Sequence, residues 1–299
     1  MKTLILCGGK GTRLREETEF KPKPMVEIGG LPIVQHIMNI YSHHGHSDFV
    51  LCLGYKGSMI KDHFINLSRL QDDLELNMLS NEIKYLNNHA NCDRNITFAE
   101  TGEDTLTAER IKIASKYVDD DMFMITYGDG VSDVDVNALV DFHKKQSREC
   151  GTLATITAVH PSSKYGKIIA DENHVIREFS EKPVLDDFIN GGFMVFNKEA
   201  LSYLKDGEML EDSLRKLSED GKLSQFTHKG FWHSMDTMKD VMDLNKLWEK
   251  ESPWDFKKDT CGDKSKDMNF QGFNKEDGEL LGRIVADIDE FKRRYEFFK

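Results

Sequence analysis

Gly8, Gly9 and Gly11 come directly after the apolar residues Leu4, Ile5, Leu6 and Cys7, and Lys10, Thr12 and Arg13 stand among and behind them. A glycine-rich turn at a strand end frees backbone N–H groups, and Arg15, Lys21 and Lys23 follow closely. Donors and cations gathered in one loop suit a polyphosphate. The prolines at positions 22 and 24 fix the backbone around Lys23 and so direct its ammonium group reproducibly. Far along the chain, Asp129 sits between Gly128 and Gly130 after an apolar run, and Asp236 lies in Gly230-Phe231-Trp232-His233-Ser234-Met235-Asp236-Thr237. Two carboxylates are what Mg2+ takes when substrate phosphates supply its other ligands. Each aspartate also has a plain structural use, Asp129 in a turn and Asp236 as the cap of a following helix.

Two commoner phosphate motifs do not fit. A dinucleotide fingerprint G-x-G-x-x-G would need glycine where Leu14 stands, and a Walker loop would need Gly-Lys-Ser/Thr closing a longer loop. Gly9-Lys10-Gly11 by itself is equally a tight turn after a strand.

The elements that must position these groups alternate. Residues 3–7 form a short buried strand, 8–30 a long functional loop, and 32–45 an amphipathic helix opened by Pro32 and stopped by Gly45. A strand at 48–53, a helix at 56–67, a strand at 95–100, a helix at 106–117 and an apolar strand at 122–127 continue the pattern. Residues 68–94 are polar and give no clear signal. The next helix takes Ser132 or Asp133 as its N-cap and buries Val136, Leu139, Val140 and Phe142. Strands at 152–159, 167–170, 175–180 and 192–197 follow with few helices between them, which predicts antiparallel additions at the far end of the sheet. Short helices at 198–204 and 211–217, a strand at 223–228 and a helix at 237–250 complete residues 1–256. The fold class is α/β: a doubly wound, mostly parallel sheet with a small antiparallel part and an extra C-terminal helix. Residues 257–278 read as a polar linker. Residues 279–299 regain helical spacing, with Leu280, Leu281, Ile284, Ile288, Phe291 and Tyr295 on one stripe, either packed on the body or joining subunits.

A chain of 299 residues with 39% hydrophobic and 31% charged residues has the composition of a soluble globular protein, and no apolar run is long enough to cross a bilayer. The net charge of −12 argues against nucleic acid as a partner and makes the opening cations a local feature suited to one small anionic ligand. Cys7, Cys52, Cys92, Cys150 and Cys261 are odd in number and scattered without metal-ligand spacing, as expected of reduced, mostly buried thiols in a cytoplasmic protein.

Longer strings are more specific than the glycine turn. Gly8 to Arg13, then Lys21-Pro22-Lys23-Pro24-Met25 and Val26-Glu27-Ile28-Gly29-Gly30, resemble the signature of the sugar-1-phosphate nucleotidyltransferases, a Rossmann-like fold family. Glu17-Thr18, Thr126-Tyr127-Gly128-Asp129-Gly130, Asn190-Gly191-Gly192-Phe193 and Gly230 to Thr237 resemble its glucose-1-phosphate cytidylyltransferase branch. The resemblance covers residues 1–256, and Cys7 stands where alanine is common.

It implies transfer of a cytidylyl group from CTP to glucose 1-phosphate with Mg2+, giving CDP-glucose for deoxysugar and surface-polysaccharide synthesis, in a homo-oligomer. By resemblance, Lys23, Arg13 and Asp129 carry the reaction, and Asp129 and Asp236 hold the metal. Leu6, Cys7, Gly8, Gly9, Lys10, Gly11, Thr12, Arg13, Lys23, Thr101, Arg110 and Gly128 bind nucleotide. Tyr165, Gly166, Glu181, Lys182, Asn190 and Gly191 meet the sugar phosphate. Lys182 would pair with its phosphate and Glu181 with its hydroxyls, and the backbone at Gly166 could approach the ring. Arg110 has an equal alternative as a solvated helix residue. Alternative readings are the same chemistry with dTTP or UTP and, in another class, a silent nucleotide-sugar sensor, against which stand the retained Lys23, Asp129 and Asp236.

Overall fold

Strand β1 (Thr3–Cys7) is buried along its whole length, and its residues alternate between two apolar clusters: Ile5 and Cys7 enter one, Leu4 and Leu6 the other. A strand buried on both faces lies inside a parallel sheet covered by helices on each side. The computed structural model describes residues 1–67, 73–86 and 94–256. The linker and helix expected over 257–299, with Cys92 and Cys261, lie outside the described residues. Cys7 and Cys52 are buried, and Cys150 is exposed.

The strands, in chain order, are β1, β2 (Glu27–Ile28), β3 (Leu31–Pro32), β4 (Asp48–Leu53), β5 (Leu74–Asn77), β6 (Glu82–Tyr85), β7 (Asn95–Glu100), β8 (Met122–Tyr127) and β9 (Gly130–Ser132). Then come β10 (Ala154–Val159), β11 (Lys167–Ala170), β12 (Ile176–Ser180), β13 (Ile189–Asn197), β14 (Leu223–Thr227) and β15 (Trp232–Ser234). Seven of them form the main sheet in the order β14-β10-β13-β8-β1-β4-β7. β4 and β8 flank β1 in parallel, β7 runs parallel to β4, and β14 parallel to β10. Within this sheet, among the described residues, only β13 opposes its neighbours. The chain winds outward from β1 in both directions, so β1 is a switch point, where ligands bind beyond the carboxyl ends of the strands.

One face of the sheet is covered by the helices Ile33–His43, Val136–Cys150 and Met238–Lys250, the other by Thr107–Ala114 and Leu210–Glu219. The first of these begins after Pro32 and is followed by Gly45 at φ +82°, as its sequence signals predict.

Three expectations need correction. The cap of Val136–Cys150 is Asp135, whose carboxylate accepts from the Ala138 N–H, while Ser132 is taken into β9 and Asp133 follows it. The antiparallel strand is not at the far end of the sheet: β13 lies inside it, between β8 and β10. β11 and β12 do not join the main sheet at all, and form a separate hairpin with every residue at least partly exposed. Period-2 alternation reports a half-buried strand but not which neighbour it pairs with. The unassigned region 68–94 contains the hairpin β5–β6.

Candidate active site

The carboxyl ends of β1 and β8 open into a cleft of about 320 Å³, lined by Leu6, Cys7, Gly8, Gly9, Gly11, Thr12, Arg13 and Lys23 from the opening stretch. Tyr127, Gly128 and Asp129 line it from β8, Arg110 from the helix Thr107–Ala114, and Met209 from the approach to Leu210–Glu219. Gly128 lies against β1 and donates its N–H to the Leu6 carbonyl at 3.1 Å. Parallel pairing of β1 with β8 thus carries the glycine loop and Asp129 to one place, although they are far apart in sequence.

Asp236 arrives by a second route. β15 pairs antiparallel with β9, Ser234 opposite Gly130, and the Met235 N–H donates to the Asp129 carbonyl at 2.8 Å. The helix Met238–Lys250 is capped by Thr237, and Asp240 accepts from the backbone N–H groups of Asp236 and Thr237 at 3.0 and 2.7 Å. Asp236 is therefore not the cap, and its side chain turns to cations. Lys23 donates to Asp129 Oδ2 at 2.6 Å and to Asp236 Oδ1 at 2.8 Å, and Arg13 Nη2 lies 2.9 Å from the same Asp236 oxygen.

Burial works against the charge of Lys23, but the carboxylates of Asp129 and Asp236 outweigh it and raise its pKa. Burial likewise opposes ionisation of Asp236, and the Lys23 and Arg13 cations override it, leaving its pKa below the usual carboxylate range. Lys23 and Asp236 thus both stay charged at neutral pH. Two hard oxygen donors thus converge on a single cation, a donor set that suits Mg2+ once phosphate oxygens complete it. Among the described residues, no group of three or more His, Cys, Asp and Glu side chains gathers as a metal site.

Lys23 owes its aim to the short 3-10 turn Lys23–Met25, entered through Pro22 at φ −67°. The glycine loop is fixed from below by Thr18, whose hydroxyl donates to the carbonyls of Gly11 at 3.0 Å and Leu14 at 2.9 Å.

Arg110 is not solvated. It is 3% exposed, and its guanidinium donates to the carbonyls of Leu53, Gly102, Gly8 and Glu103 and to the Thr101 hydroxyl, at 2.6–3.2 Å. It thereby fastens the glycine loop to the end of β4 and to the loop after β7. A Cβ at Gly8 would collide with that guanidinium, so only glycine permits this approach. Thr101 is buried and donates to the Leu53 carbonyl at 2.6 Å. Lys10 lies off the cleft wall and pairs with Asp104 at 2.7 Å. Burial and the nearby charges of Cys52 and Asp129 push the Cys7 thiol well above its ordinary pKa, so it stays a neutral wall of the cleft.

The six residues expected at the sugar phosphate fall into two groups. Asn190 and Gly191 lie on β13 beside β8 and β10. Tyr165, Gly166, Glu181 and Lys182 belong to the β11–β12 arm, and none of the six lines the cleft. A Cβ at Gly166 would stand 2.7 Å from the Phe179 ring and 3.2 Å from Glu181 Oε2. Lys182 adopts φ +49°, uncommon for a residue with a Cβ and a kind of strain that gathers at functional sites.

The structure adds Tyr127, Pro24, Thr105, Leu106, Thr107 and Met209 to the cleft wall. Adjacency to Gly128-Asp129 was the available signal for Tyr127. Nothing in the sequence marks Met209, which is brought in by packing.

The chain is similar to known proteins along most of its length. Glucose-1-phosphate cytidylyltransferase of Salmonella typhi is 43% identical over 260 residues, spanning 85% of this chain and 98% of that protein. A probable glucose-1-phosphate cytidylyltransferase of Bacillus subtilis is 42% identical over 253 residues, 84% of this chain and 97% of its own. Among solved structures, a putative glucose-1-phosphate thymidylyltransferase of Bacillus anthracis superposes with a TM-score of 0.61 at 18% identity, over 84% of this chain and 96% of that one, a likeness of fold. Residues 2–251 match the Nucleotidyl transferase family model, and the chain belongs to that family.

Proposed function

We propose that this protein is a glucose-1-phosphate cytidylyltransferase, forming CDP-glucose and pyrophosphate from CTP and glucose 1-phosphate. The observation that carries the reading is the 43% identity to the Salmonella cytidylyltransferase over 98% of its length, with Lys23, Asp129 and Asp236 held together in one ion cluster.

In the reaction, an oxygen of the sugar phosphate attacks the α-phosphorus of CTP. The new oxygen–phosphorus bond forms as the bond to the β-phosphate oxygen breaks, and pyrophosphate carries off the electron pair. The attacking phosphate has a second pKa of about 6 and is largely dianionic at neutral pH, so no strong base is required. The barrier is charge repulsion and misalignment, which positioning and neutralisation lower. Glycine-loop N–H groups and Arg13 receive the triphosphate. Lys23 neutralises charge at the reacting phosphorus, and phosphate oxygens replace the carboxylates as partners of both cations. Asp129 and Asp236 would hold Mg2+, which when bound supplies positive charge against the phosphates. On the acceptor side, Lys182 meets the sugar phosphate, and Glu181 and Asn190 meet the hydroxyls.

Further proposals accompany this reading: a cytoplasmic homo-oligomer whose product enters deoxysugar synthesis for O-antigen polysaccharide. No helix among the described residues is long and apolar enough to cross a membrane. Pyrophosphate release, measured with CTP, dTTP, UTP and GTP against a panel of sugar 1-phosphates, tests the reaction. Highest kcat/KM for CTP with glucose 1-phosphate is expected, and equal rates with all four nucleotides would refute the specificity.

A further inference from the structure

Asn190, Gly191 and Gly192 are held from two sides by aromatic residues, Tyr127 and Trp232. β13 bulges here: Met194 pairs with Ile156 and Asn190 with Ala158, leaving β13 with two more residues than β10 over this stretch. Bulges re-aim side chains beside active sites. Gly192 takes φ +94° and lies against the Tyr127 ring; a Cβ there would stand 2.9 Å from Tyr127 Cδ2. The Gly192 N–H donates to Asn190 Oδ1 at 3.0 Å, so the carbonyl end of that side chain is engaged. The Tyr127 phenol donates its own hydrogen to Glu211 Oε1 at 2.7 Å, so its oxygen can only accept from the Asn190 NH2 group, which keeps its second N–H for substrate. On the opposite flank, Trp232 Nε1 donates to the Gly191 carbonyl at 2.7 Å.

Each aromatic shares a short segment with one metal-type carboxylate. Tyr127 is two residues before Asp129, and Trp232 is four before Asp236. The β9–β15 pairing ties those segments together. One stretch of β13 on the acceptor side is thus packed against the segment that carries Asp129 and hydrogen-bonded to the one that carries Asp236.

We propose that Tyr127 and Trp232 are positioning residues that set the acceptor loop Asn190–Gly192 in register with Asp129 and Asp236, and so fix where the attacking phosphate meets the α-phosphorus. This deepens the transferase reading and rests on it. Asn190 then meets a sugar hydroxyl as an N–H donor. Glu211 acts one step back, holding the Tyr127 phenol so that its oxygen faces Asn190.

Tyr127→Phe, Trp232→Phe and Glu211→Gln, made in the full chain, test the proposal through kinetics, calorimetric titration with CTP and Mg2+, and thermal midpoints. Removing one hydrogen bond from a positioning pair should lower kcat/KM for the sugar phosphate about tenfold in Tyr127→Phe and Trp232→Phe, and about threefold in Glu211→Gln. Nucleotide affinity should stay within about twofold of wild type in Trp232→Phe and Glu211→Gln, neither of which lines the cleft, a split that a general loss of structure would not produce. A parallel fall in nucleotide affinity in those two, or an unchanged kcat/KM for the acceptor in all three, overturns the proposal. Should either aromatic variant fail to fold, Glu211→Gln on its exposed helical turn reports on the Tyr127 arm. The wild-type protein is assayed first against several sugar 1-phosphates. Preference for another acceptor refutes the glucose assignment alone, and the variants are then scored with that acceptor.

Discussion

Lys23 and Lys182 are both proposed to meet phosphate, yet the protein holds them by opposite means. The Lys23 side chain is 11% exposed and bound by two carboxylates at 2.6 and 2.8 Å. Lys182 is 48% exposed, with its ammonium 3.9 Å from one carboxylate, on a hairpin outside the main sheet. The donor half of the site is preorganised: its charges sit at the switch point of a sheet packed on both faces. The acceptor arm has Ile168, Phe179 and Ile176 all more than half exposed, and two strands alone are marginal in water. In the proposed reading, rigid placement of the triphosphate, where charge is densest, would be matched to an arm that meets the second substrate with side chains still in solvent.

Lys23→Ala attacks the rigid half most directly. It removes the cation proposed to face the reacting phosphorus and leaves Asp129 and Asp236 without their shared partner. A loss of about 10²–10³ in kcat is expected, the scale for deleting one preorganised group that stabilises transition-state charge. A normal kcat would place the chemistry elsewhere and end the contrast between the two lysines.

Gly8→Ala probes what keeps that half rigid. The added methyl would drive the Arg110 guanidinium from its hydrogen-bonded place among the loop carbonyls, leaving buried polar groups unpaired. A destabilisation of about 2–4 kcal/mol in urea unfolding is expected, with weaker nucleotide binding. Arg110→Lys should reproduce part of it, since an ammonium cannot reach all these acceptors with one planar fork. If Gly8→Ala unfolds at the wild-type midpoint, Arg110 has a second rotamer and the loop is not keyed by it.

How far the sequence disclosed these two halves follows from the range of the forces involved. β1, β4 and β8 are legible because each is an apolar run bounded by turn residues, β7 because apolar and polar residues alternate along it, and the capped helix after Asp236 because its signals are local. Glycine spacing and the paired prolines marked the donor loop for the same reason. The pairing of β9 with β15, which brings Asp236 to Asp129, could not be read. Its three-residue strands leave too short a pattern, and they meet only through the tertiary fold. For Arg110 two readings stay open in the sequence, because a helix position does not reveal whether carbonyls from three other segments surround it. The interior place of β13 was misjudged because alternation is blind to strand order.

Lys182→Ala is the mildest of these changes and the one that separates the halves most cleanly. Its side chain is half exposed and its ion pair loose, and such surface pairs contribute about 0–1 kcal/mol to stability. The thermal midpoint should therefore stay at the wild-type value. Binding is another matter, because a charge-assisted contact to the sugar phosphate forms only when the arm and its substrate meet. Its loss should raise KM for glucose 1-phosphate about tenfold, with CTP affinity unchanged. A fall in CTP affinity of similar size would mean that Lys182 reaches the donor side, and that the arm and the cleft bind nucleotide as one unit.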